Sequence, residues 1–547
     1  MISKKTIWAL SLLCVSAQAF AQDPNAQKFS EEINVKNAKK FSEEINVKNA
    51  KKHLTILASD KFEGRETGKA GAEKAANYIA KEFKKLKLTA PVNGSYFQDV
   101  PLVEASFDVK SFITNGKTLS LGKEFLFSGS GEAKSIDATE IVFIGYGIGA
   151  ENYDDLKNID VTGKVVLMIN KGEPMNNGIS AISKTSKASD WSTNRLKRLQ
   201  YVMSKGPSVI LAVNPDVSAA LQSYSPRSGR LTIKKETKSA ANNRPATAAY
   251  FSIAPDIANQ ILKNSGKNYE DLKSAIDNSG TPQSQVLKSQ ISINYGPVNK
   301  DVKSVNVMGY LEGNDLKDEL VVYSAHYDHI GLTTDGGEDK VNNGADDDGS
   351  GTTGVLNIAR AYAKAKKAGH GPRRSVLFLM VTGEEKGLLG SEYYSLNPVF
   401  PIANTITNLN IDMIGRTGEL YKGSADSANY CYLIGSDKLS TDLHKISENA
   451  NAVYTKMKID YKYNDPNDPE RIYYRSDHYN FAKNGVPIVF YFNGVHEDYH
   501  KASDEVSKIN FELLAKRAQL VYYTGWDLLN RDKRPVVDVK NDMPATR

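Results

Sequence analysis

In the C-terminal part of the chain, hydrophobic residues fall into short continuous runs separated by stretches of helical spacing. The runs have the length of β-strands and cover residues 305–311, 319–325, 375–381, 407–413 and 487–492. A helix between the second and third runs has an apolar face made of Val355, Ile358, Ala359 and Tyr362. Ser350 is placed to cap its start. Apolar strands alternating with helices predict an α/β fold, in which a mostly parallel sheet has helices on both faces.

Upstream of these runs the pattern changes twice. Apolar positions over residues 72–86 recur at helical spacing and predict an amphipathic helix that covers the core. From about Phe97, short runs broken by Gly and Asn replace this pattern and favour a separate β-rich module. Its predicted strands lie at 107–113, 140–146, 164–169 and 207–213, with a helical segment at 257–276. A closing helix is predicted at 511–529.

The first residues have the features of a secretory signal peptide. Lys4 and Lys5 precede an apolar run over 7–15, and small residues up to Ala21 supply a cleavage point. The run is too short to cross a bilayer about 30 Å thick. We therefore expect export, to the periplasm or to the medium, without a membrane span.

A short duplication follows the predicted signal. Residues 28–39 and 40–51 have identical sequences, and no third copy is present. Because one repeated helical unit does not make a solenoid, we interpret it as a local duplication. The second copy runs into a predicted helix, and the first is expected to be a loosely held extension.

Composition excludes some classes of function. The formal net charge of +6 is spread over 547 residues without basic blocks, which gives no support for nucleic-acid binding. Signal cleavage would remove Cys14 and leave Cys431 as the only thiol, so no intramolecular disulfide is expected. The length allows two or three domains, and the oligomeric state stays open.

Three carboxylates stand side by side in residues 344–351, whose sequence is Gly-Ala-Asp-Asp-Asp-Gly-Ser-Gly. They repel one another, and the flanking glycines offer no apolar surface against which they could pack. A positive group is needed to gather this charge. A metal ion is the simplest candidate.

Polar side chains also stand at the ends of the predicted strands. His326 and Asp328 follow one run, Glu384 and Glu385 follow the next, and Asp412 lies within a third. In open α/β sheets, ligands bind at the carboxyl ends of the strands. Carboxylates there are costly to bury unless they are paired or bound to metal. These strand ends therefore predict a site.

Five motifs in order resemble those of peptidase family M28, a family of di-zinc peptidases. They are His-Tyr-Asp at 326–328, the acidic stretch at 344–351, Glu-Glu-Lys-Gly-Leu-Leu-Gly-Ser at 384–391, Asp-Met-Ile-Gly at 412–415 and Tyr-His-Lys-Ala-Ser-Asp at 499–504. The resemblance extends from about residue 50 to 529. It is greatest to members with a protease-associated (PA) domain inserted ahead of the metal-binding half.

The resemblance implies a phosphorylase/hydrolase-like α/β catalytic domain with an inserted β-rich PA-type domain. Together with the N-terminal features, it predicts the following divisions: signal peptide 1–21, N-terminal extension 22–45, catalytic domain 46–130 and 286–530, PA-like insertion 131–285, and C-terminal tail 531–547.

The resemblance also implies two zinc ions bridged by Asp347. The other ligands would be His326 and Asp412 on one ion, and Glu385 and His500 on the other. Imidazole nitrogen and carboxylate oxygen are ligands that zinc takes in proteins. Two zinc ions sharing a hydroxide can direct it at a peptide carbonyl.

Four further residues receive roles from the same resemblance. Glu384 would be the general base, which takes a proton from the water and passes it to the leaving amine. Asp328 would orient the imidazole of His326, since residues i and i+2 of a strand share a side. Arg475 and Tyr499 would hold the substrate or its tetrahedral oxyanion.

The remaining histidines near these motifs receive simpler interpretations. His496 competes with His500 as a ligand because both lie in one loop, and the motif favours His500. His329 is expected to cap a loop. The Asp- and Asn-rich segment 465–470 could hold calcium, although ordinary turn chemistry is favoured there.

The leading functional prediction is an exported zinc aminopeptidase that acts on peptides. Alternatives on the same scaffold are a glutamate carboxypeptidase or a dipeptidase, a glutaminyl cyclase with one zinc, and a non-catalytic receptor-like protein. Only Arg471 and Arg475 are available as the arginine cluster of a carboxypeptidase. The complete ligand set argues against a receptor. The side-chain preference stays open.

Overall fold

The computed structural model describes residues 35–224, 229–234, 248–333 and 337–544. The predicted signal peptide and most of the first repeat copy lie outside these residues. The chain forms two compact units. The main unit comprises the chain up to Leu102 and from Val302 onwards, and the insert comprises Val103–Asp301. The sequence-based boundaries at 131 and 285 lie inside the insert, because strands begin before the first and continue beyond the second.

Three helices open the main unit: α1 (Val35–Ser42), α2 (Val47–Leu57) and α3 (Ala70–Lys85). The last of these confirms the predicted amphipathic helix. Asn46 caps α2 by accepting a hydrogen bond from the backbone N–H of Asn49. Ala38, at the end of the first repeat copy, is fully buried in the core. This end of the copy therefore packs against the protein, contrary to the expected loose extension.

Strand β1 (Phe97–Thr114) leads the chain into the insert. The other strands of the insert are β2 (Lys117–Thr118), β3 (Phe125–Ser128), β4 (Lys134–Phe143), β5 (Gly149–Ala150), β6 (Tyr153–Asp154), β7 (Val165–Ile169), β8 (Met175–Asn176), β9 (Ile179–Ser180), β10 (Val209–Val213), β11 (Arg230–Ile233) and β12 (Ala249–Ile253). Its helices are α4 (Asp190–Thr193), α5 (Arg195–Ser204), α6 (Val217–Gln222), α7 (Pro255–Leu262) and α8 (Tyr269–Ser279).

The insert is an α/β unit in its own right. Strands β4, β7, β10 and β12 are parallel neighbours, and β3 pairs antiparallel with β12. Alternate residues of β7 enter two hydrophobic clusters, one shared with α7 and α8 and the other with α5. Parallel strands need crossover connections, which explains why helices accompany the predicted strands. The PA-type assignment stays a prediction.

Strand β13 (Gln285–Leu311) returns the chain to the main unit. The remaining strands are β14 (Leu316–His326), β15 (Arg374–Val381), β16 (Thr405–Ile411), β17 (Tyr430–Ile434), β18 (Lys458–Asp460) and β19 (Ile488–Phe492). The helices are α9 (Gly349–Lys367), α10 (Leu389–Leu396), α11 (Thr441–Ala450), α12 (His478–Ala482) and α13 (Phe511–Asn530). Every strand predicted in this part of the chain is present.

The sheet of the main unit has the order β18-β17-β19-β16-β14-β15-β13. Strands β19, β16, β14 and β15 are parallel. On β14, Val321 and Tyr323 enter one hydrophobic cluster while Leu320 and Val322 enter another, as strand alternation requires. The first cluster contains residues of α1, α2, α3, α9, α11 and α13, and the second contains residues of α10 and α12. Helices therefore cover both faces, as predicted.

Two local predictions are wrong. Asp412 does not lie within a strand, because β16 ends at Ile411. Asp348, and not Ser350, caps α9: its carboxylate accepts the backbone N–H of Gly351. Ser350 already lies in the first turn of the helix. In the described part of the chain, every helix is too short or too polar to cross a membrane.

Candidate metal centre

The predicted site residues meet at one edge of the main-unit sheet. Strands β16, β14 and β15 are adjacent and parallel, so their carboxyl ends lie together. His326 is the last residue of β14, Asp412 directly follows β16, and Glu384 and Glu385 follow β15 after a short turn. The structure thus brings the polar residues that follow the apolar runs together at one edge of the sheet.

Asp347 stands between two histidines. Its Oδ1 lies 3.2 Å from Nε2 of His326, and its Oδ2 lies 3.1 Å from Nε2 of His500. Asp412 Oδ1 lies 3.6 Å from the same nitrogen of His326. Glu385 Oε2 lies 3.1 Å from the same nitrogen of His500. One carboxylate therefore faces two groups of ligand-type atoms with its two oxygens.

The two aspartates beside Asp347 have different partners. Asp348 accepts backbone N–H groups of His326 and Met413. Asp346 accepts the backbone N–H of Gly415 at 2.6 Å. Both carboxylates are fully buried, and these bonds compensate their burial. Of the three adjacent carboxylates, only that of Asp347 faces the centre.

Asp504 supports the same loop from another side. One of its oxygens accepts the backbone N–H groups of Asp346 and Asp347, at 2.9 and 3.1 Å. Asp504 is fully buried. Its position four residues after His500 links the loop carrying that histidine to the loop carrying Asp347.

The donor set fits zinc. Nε2 of His326 is buried and has no hydrogen-bond partner, while oxygens of Asp347 and Asp412 lie close to it. Burial lowers the pKa of His326, but the charges of Asp412 and Glu384 outweigh it and raise this pKa well above its usual range. The negative charge of the carboxylates thus strongly favours a cation at a point surrounded by imidazole nitrogen and carboxylate oxygen atoms.

His326 is oriented by a carbonyl group. Its Nδ1 donates to the backbone oxygen of Asp328 at 3.0 Å, whereas the Asp328 carboxylate is 3.9 Å away. That carboxylate instead accepts the hydroxyl of Thr67 and the backbone N–H of Glu384. The predicted role of the Asp328 carboxylate therefore needs correction, because its oxygens are engaged elsewhere. With Nδ1 engaged by this carbonyl group, the ring turns Nε2 toward Asp347, where it is the nitrogen available to a metal ion.

Glu384 lies beside the cluster. Its Oε2 is 3.9 Å from Nε2 of His326, and its side chain is 10% exposed. Burial raises the pKa of Glu384 well above its usual range. The neighbouring Glu385 differs, because hydrogen bonds from His329 and His500 outweigh its burial and lower its pKa. Two adjacent carboxylates therefore have distinct environments.

His329 is a site residue that the sequence analysis missed. It is fully buried, and its Nδ1 lies 2.8 Å from Oε1 of Glu385 and 3.8 Å from Oδ2 of Asp347. The expectation that it caps a loop is wrong, because its ring points into the cluster. Its place three residues after His326, at the end of the same strand, was the available signal.

His496 has a separate partner. Its Nε2 lies 3.2 Å from Oδ2 of Asp346, and its Nδ1 accepts the backbone N–H of Asp498. The geometry thus favours His500 as the histidine beside Asp347. In segment 465–470, the carboxylates of Asp465 and Asp468 accept nearby backbone N–H groups, as ordinary turns require.

A small cleft opens beside the cluster. Its acidic wall is formed by Asp347, Glu384 and Asp412, and its apolar lining by Met413, Ile472, Phe490, Phe492 and Val495. Arg475 and Tyr499 complete the lining, with Nη2 of Arg475 donating to the Tyr499 hydroxyl at 3.2 Å. The Tyr499 ring stacks on the His500 ring at 3.9 Å between centroids. Both residues predicted to contact substrate therefore line the cleft.

Known proteins resemble this chain over part of its length. Aminopeptidase YwaD of Bacillus subtilis (strain 168) is 24% identical over 258 residues, which cover 44% of this chain and 48% of that protein. Leucine aminopeptidase 1 of Penicillium rubens is 26% identical over 218 residues, covering 39% of this chain and 53% of that protein. The chain spans about half the length of these curated relatives.

Among solved structures, an aminopeptidase from Aneurinibacillus sp. strain AM-1 aligns with a TM-score of 0.46 and 18% identity, covering 93% of this chain and all of that one. The family model described as peptidase family M28 matches residues 306–525. That range contains all five residues of the cluster around Asp347. Residues 306–525 therefore form a domain of peptidase family M28.

Proposed function

We propose that this protein is an exported zinc aminopeptidase that releases N-terminal residues from peptides. The observation that carries the proposal is the position of Asp347, whose two oxygens each face a different histidine at 3.1–3.2 Å. The relatives described as aminopeptidases support the class of reaction. Export rests on the features of the first residues of the sequence.

Two zinc ions are proposed to share Asp347. His326 and Asp412 would hold one of them, and Glu385 and His500 the other. Zinc in such a site supplies Lewis-acid polarisation of a carbonyl and a water nucleophile at neutral pH. The fit of the residues to this group rests on the buried, unpartnered Nε2 of His326 and on the donor set.

Glu384 is proposed to move the proton. Its Oε2 would take a proton from the attacking water and pass it to the nitrogen of the leaving peptide amine. Glu385, 2.8 Å from His329 and 3.1 Å from His500, is held away from this task. The assignment rests on the different partners of these two adjacent carboxylates.

Tyr499 and Arg475 are proposed to stabilise the negative oxygen that forms at the substrate carbonyl. Burial raises the pKa of Tyr499, so its hydroxyl stays protonated. Because that hydroxyl accepts from Arg475, its own proton is available to the cleft. The apolar lining formed by Met413, Phe490 and Phe492 favours an uncharged side chain in the substrate.

A carboxypeptidase activity is the second candidate, and Arg475 is the observation that favours it. Its guanidinium lines the cleft, where it could pair with a substrate carboxylate. Arg471 lies over the Tyr474 ring, and it is absent from the cleft lining. A single arginine is weaker support than the cluster expected for that specificity.

Substrate profiling tests the proposal. The full chain should cleave leucine from a chromogenic amide, leave the N-acetylated form intact, lose activity in a chelator and regain it with zinc. Peptides that differ only in a free or amidated C-terminus provide the control, since an aminopeptidase accepts both. Zinc-loaded protein that cleaves only free C-termini, or no peptide, would contradict the proposal. Metal analysis should give two zinc ions per chain, whereas a cyclase should bind one.

A further inference from the structure

A segment far upstream of the metal-centre residues contacts them closely. The backbone oxygen of Gly64 accepts the N–H of Gly331, and that of Arg65 accepts the N–H of His329. The hydroxyl of Thr67 donates to the carboxylate of Asp328 at 2.6 Å. Residues 64–67 therefore run beside the loop that follows β14 and carries His329.

The Arg65 side chain continues this contact into the acidic loop. It is 1% exposed. Its guanidinium donates to backbone carbonyl oxygens of five residues: Tyr327 at 2.8 Å, Leu57 at 2.9 Å, Asn343 at 2.6 Å, Gly344 at 2.9 Å and Asp347 at 3.5 Å. Three of these belong to the loop that ends in Asp347. A planar guanidinium has five N–H groups in a fixed fork, which a lysine cannot reproduce.

The same loop is held on its amide side by Asp504. That carboxylate accepts the N–H groups of Asp346 and Asp347. Arg65 therefore holds carbonyl groups of the loop and Asp504 holds its amides. With both kinds of backbone group engaged, the peptide carrying Asp347 has little freedom to rotate.

The backbone around Arg65 is itself unusual. Glu63, Gly64 and Arg65 all have positive φ, of 50°, 63° and 49°. Left-handed conformations are costly for non-glycine residues and persist where surrounding contacts fix them. A Cβ at position 64 would lie 2.4 Å from the backbone oxygen of Gly331. The segment is therefore shaped to approach the loop after β14 closely.

We infer that Arg65 is a positioning residue of the metal centre, which fixes the loop so that Asp347 presents one oxygen to each histidine. The inference rests on the proposed zinc site and concerns how the chain forms it before metal arrives. Arg65 also places a resident positive charge beside four carboxylates: Asp328, Asp347, Asp348 and Asp504.

Zinc binding to Arg65→Lys and Arg65→Gln tests the inference. We expect zinc affinity to fall about 10- to 100-fold, the range measured when a contact supporting a metal ligand is lost. Affinity is measured on the full, metal-free chain by competition with a chelating dye, well below the unfolding temperature. Cobalt substitution adds a second readout, because a displaced ligand changes the visible absorption spectrum.

Arg374 supplies a matched control. It is also 1% exposed, and it donates to the carbonyl oxygens of Leu528, Arg531 and Asp532. It lies at the start of β15, whereas Glu384 and Glu385 follow the end of that strand. Arg374→Lys should lower the unfolding temperature and leave zinc affinity and the cobalt spectrum unchanged.

Thr67→Val keeps the inference testable if the Arg65 variants do not fold. It removes the hydroxyl that donates to Asp328 but keeps the volume, and we expect a smaller, severalfold loss of zinc affinity. Unchanged zinc affinity in foldable Arg65 variants, with a stability loss like that of Arg374→Lys, would overturn the inference. A wild-type chain that binds two zinc ions but cleaves no peptide would instead defeat the proposed activity and leave this inference standing.

Discussion

The two halves of the candidate metal centre are built in different ways. His326 and Asp412 stand at the ends of adjacent parallel strands, and this pair is called the strand-held half. Glu385 and His500 come from loops and are called the loop-held half. The side chain of His326 is 1% exposed and that of His500 is 36% exposed. Sites on regular elements are positioned more rigidly than sites on loops, so the strand-held half should bind its metal more firmly.

The loop-held half has compensating contacts. His500 has a left-handed backbone with φ of 58°, and its ring is stacked against Tyr499. Glu385 is held by His329 through its Oε1 and faces His500 with its Oε2. A loop can thus form half of a metal centre when neighbouring side chains fix it. The comparison therefore indicates which substitutions should weaken metal binding in each half.

The largest expected effect belongs to the proposed general base, which is a proposed ligand of neither half. Glu384→Gln should reduce kcat about 10²- to 10⁴-fold, the usual contribution of a general base. Zinc content should stay at the wild-type value, because Glu384 is not a proposed ligand. Steady-state kinetics and metal analysis on the same sample check this. A variant that loses zinc along with activity would show that Glu384 is a ligand. The proposed division between Glu384 as general base and Glu385 as ligand would then be wrong.

The comparison itself is tested by His326→Ala and His500→Ala. Chelator titration of the wild-type protein should release zinc in two phases, since the halves differ in exposure. His500→Ala should remove the weakly held phase, and His326→Ala the firmly held phase. Each variant should lose activity, because both ions are proposed to act together. Release in one phase, or an inverted order, would break the proposed asymmetry.

His329→Gln should have a smaller effect, limited to the loop-held half. The amide can still donate to Glu385, so we expect a severalfold loss of affinity in the weak phase, whereas His329→Ala should lose about 10- to 100-fold. Dye competition resolves the two phases. If both variants weaken the firm phase equally, His329 does not act through Glu385.

The smallest expected effect is on the pH dependence of stability and concerns His53, which lies outside both halves. Because it is measured on metal-free protein, it separates the loss of stability in acid from the loss of metal in acid. His53 is buried against Tyr78, and burial lowers its pKa to about 4. Below its ordinary pKa of 6.5, the unfolded chain binds a proton that the folded chain does not, so stability falls as pH falls toward 4. The slope is at most about 1.4 kcal/mol per pH unit.

Urea unfolding of metal-free protein at pH 7 and pH 5 measures this slope. His53→Gln should make stability less dependent on pH across that range. Equal pH dependence in wild type and His53→Gln would contradict the prediction.

Local patterns predicted the strands and the edge of the sheet at which the candidate site residues meet. Apolar runs ended where β14, β15 and β19 end, and the polar residues after parallel strands met at one edge of the sheet. The ligand set around Asp347 came from motifs with fixed residue types. These features depend on short stretches of sequence, which is why they could be read from the chain.

Features that depend on distant contacts could not be predicted. The sequence does not show that His329 contacts Glu385. This contact, at 2.8 Å, appears only in the folded structure. The contacts of Arg65 join segments separated by the whole insert. The N-cap of α9 could not be predicted for the same reason. Asp348 and Ser350 are both suitable capping residues, and the backbone conformation of the loop determines which of them caps the helix. The α/β character of the insert needed strand pairing, because short apolar runs fit several architectures.

The order of the segments along the chain has a consequence for biosynthesis. Arg65 is translated before the insert, and His500 after it. A nascent chain therefore contains Arg65 well before it contains the acidic loop that Arg65 contacts. Contacts between such distant segments also form slowly in folding. The candidate metal centre is consequently assembled only after the insert has been synthesised.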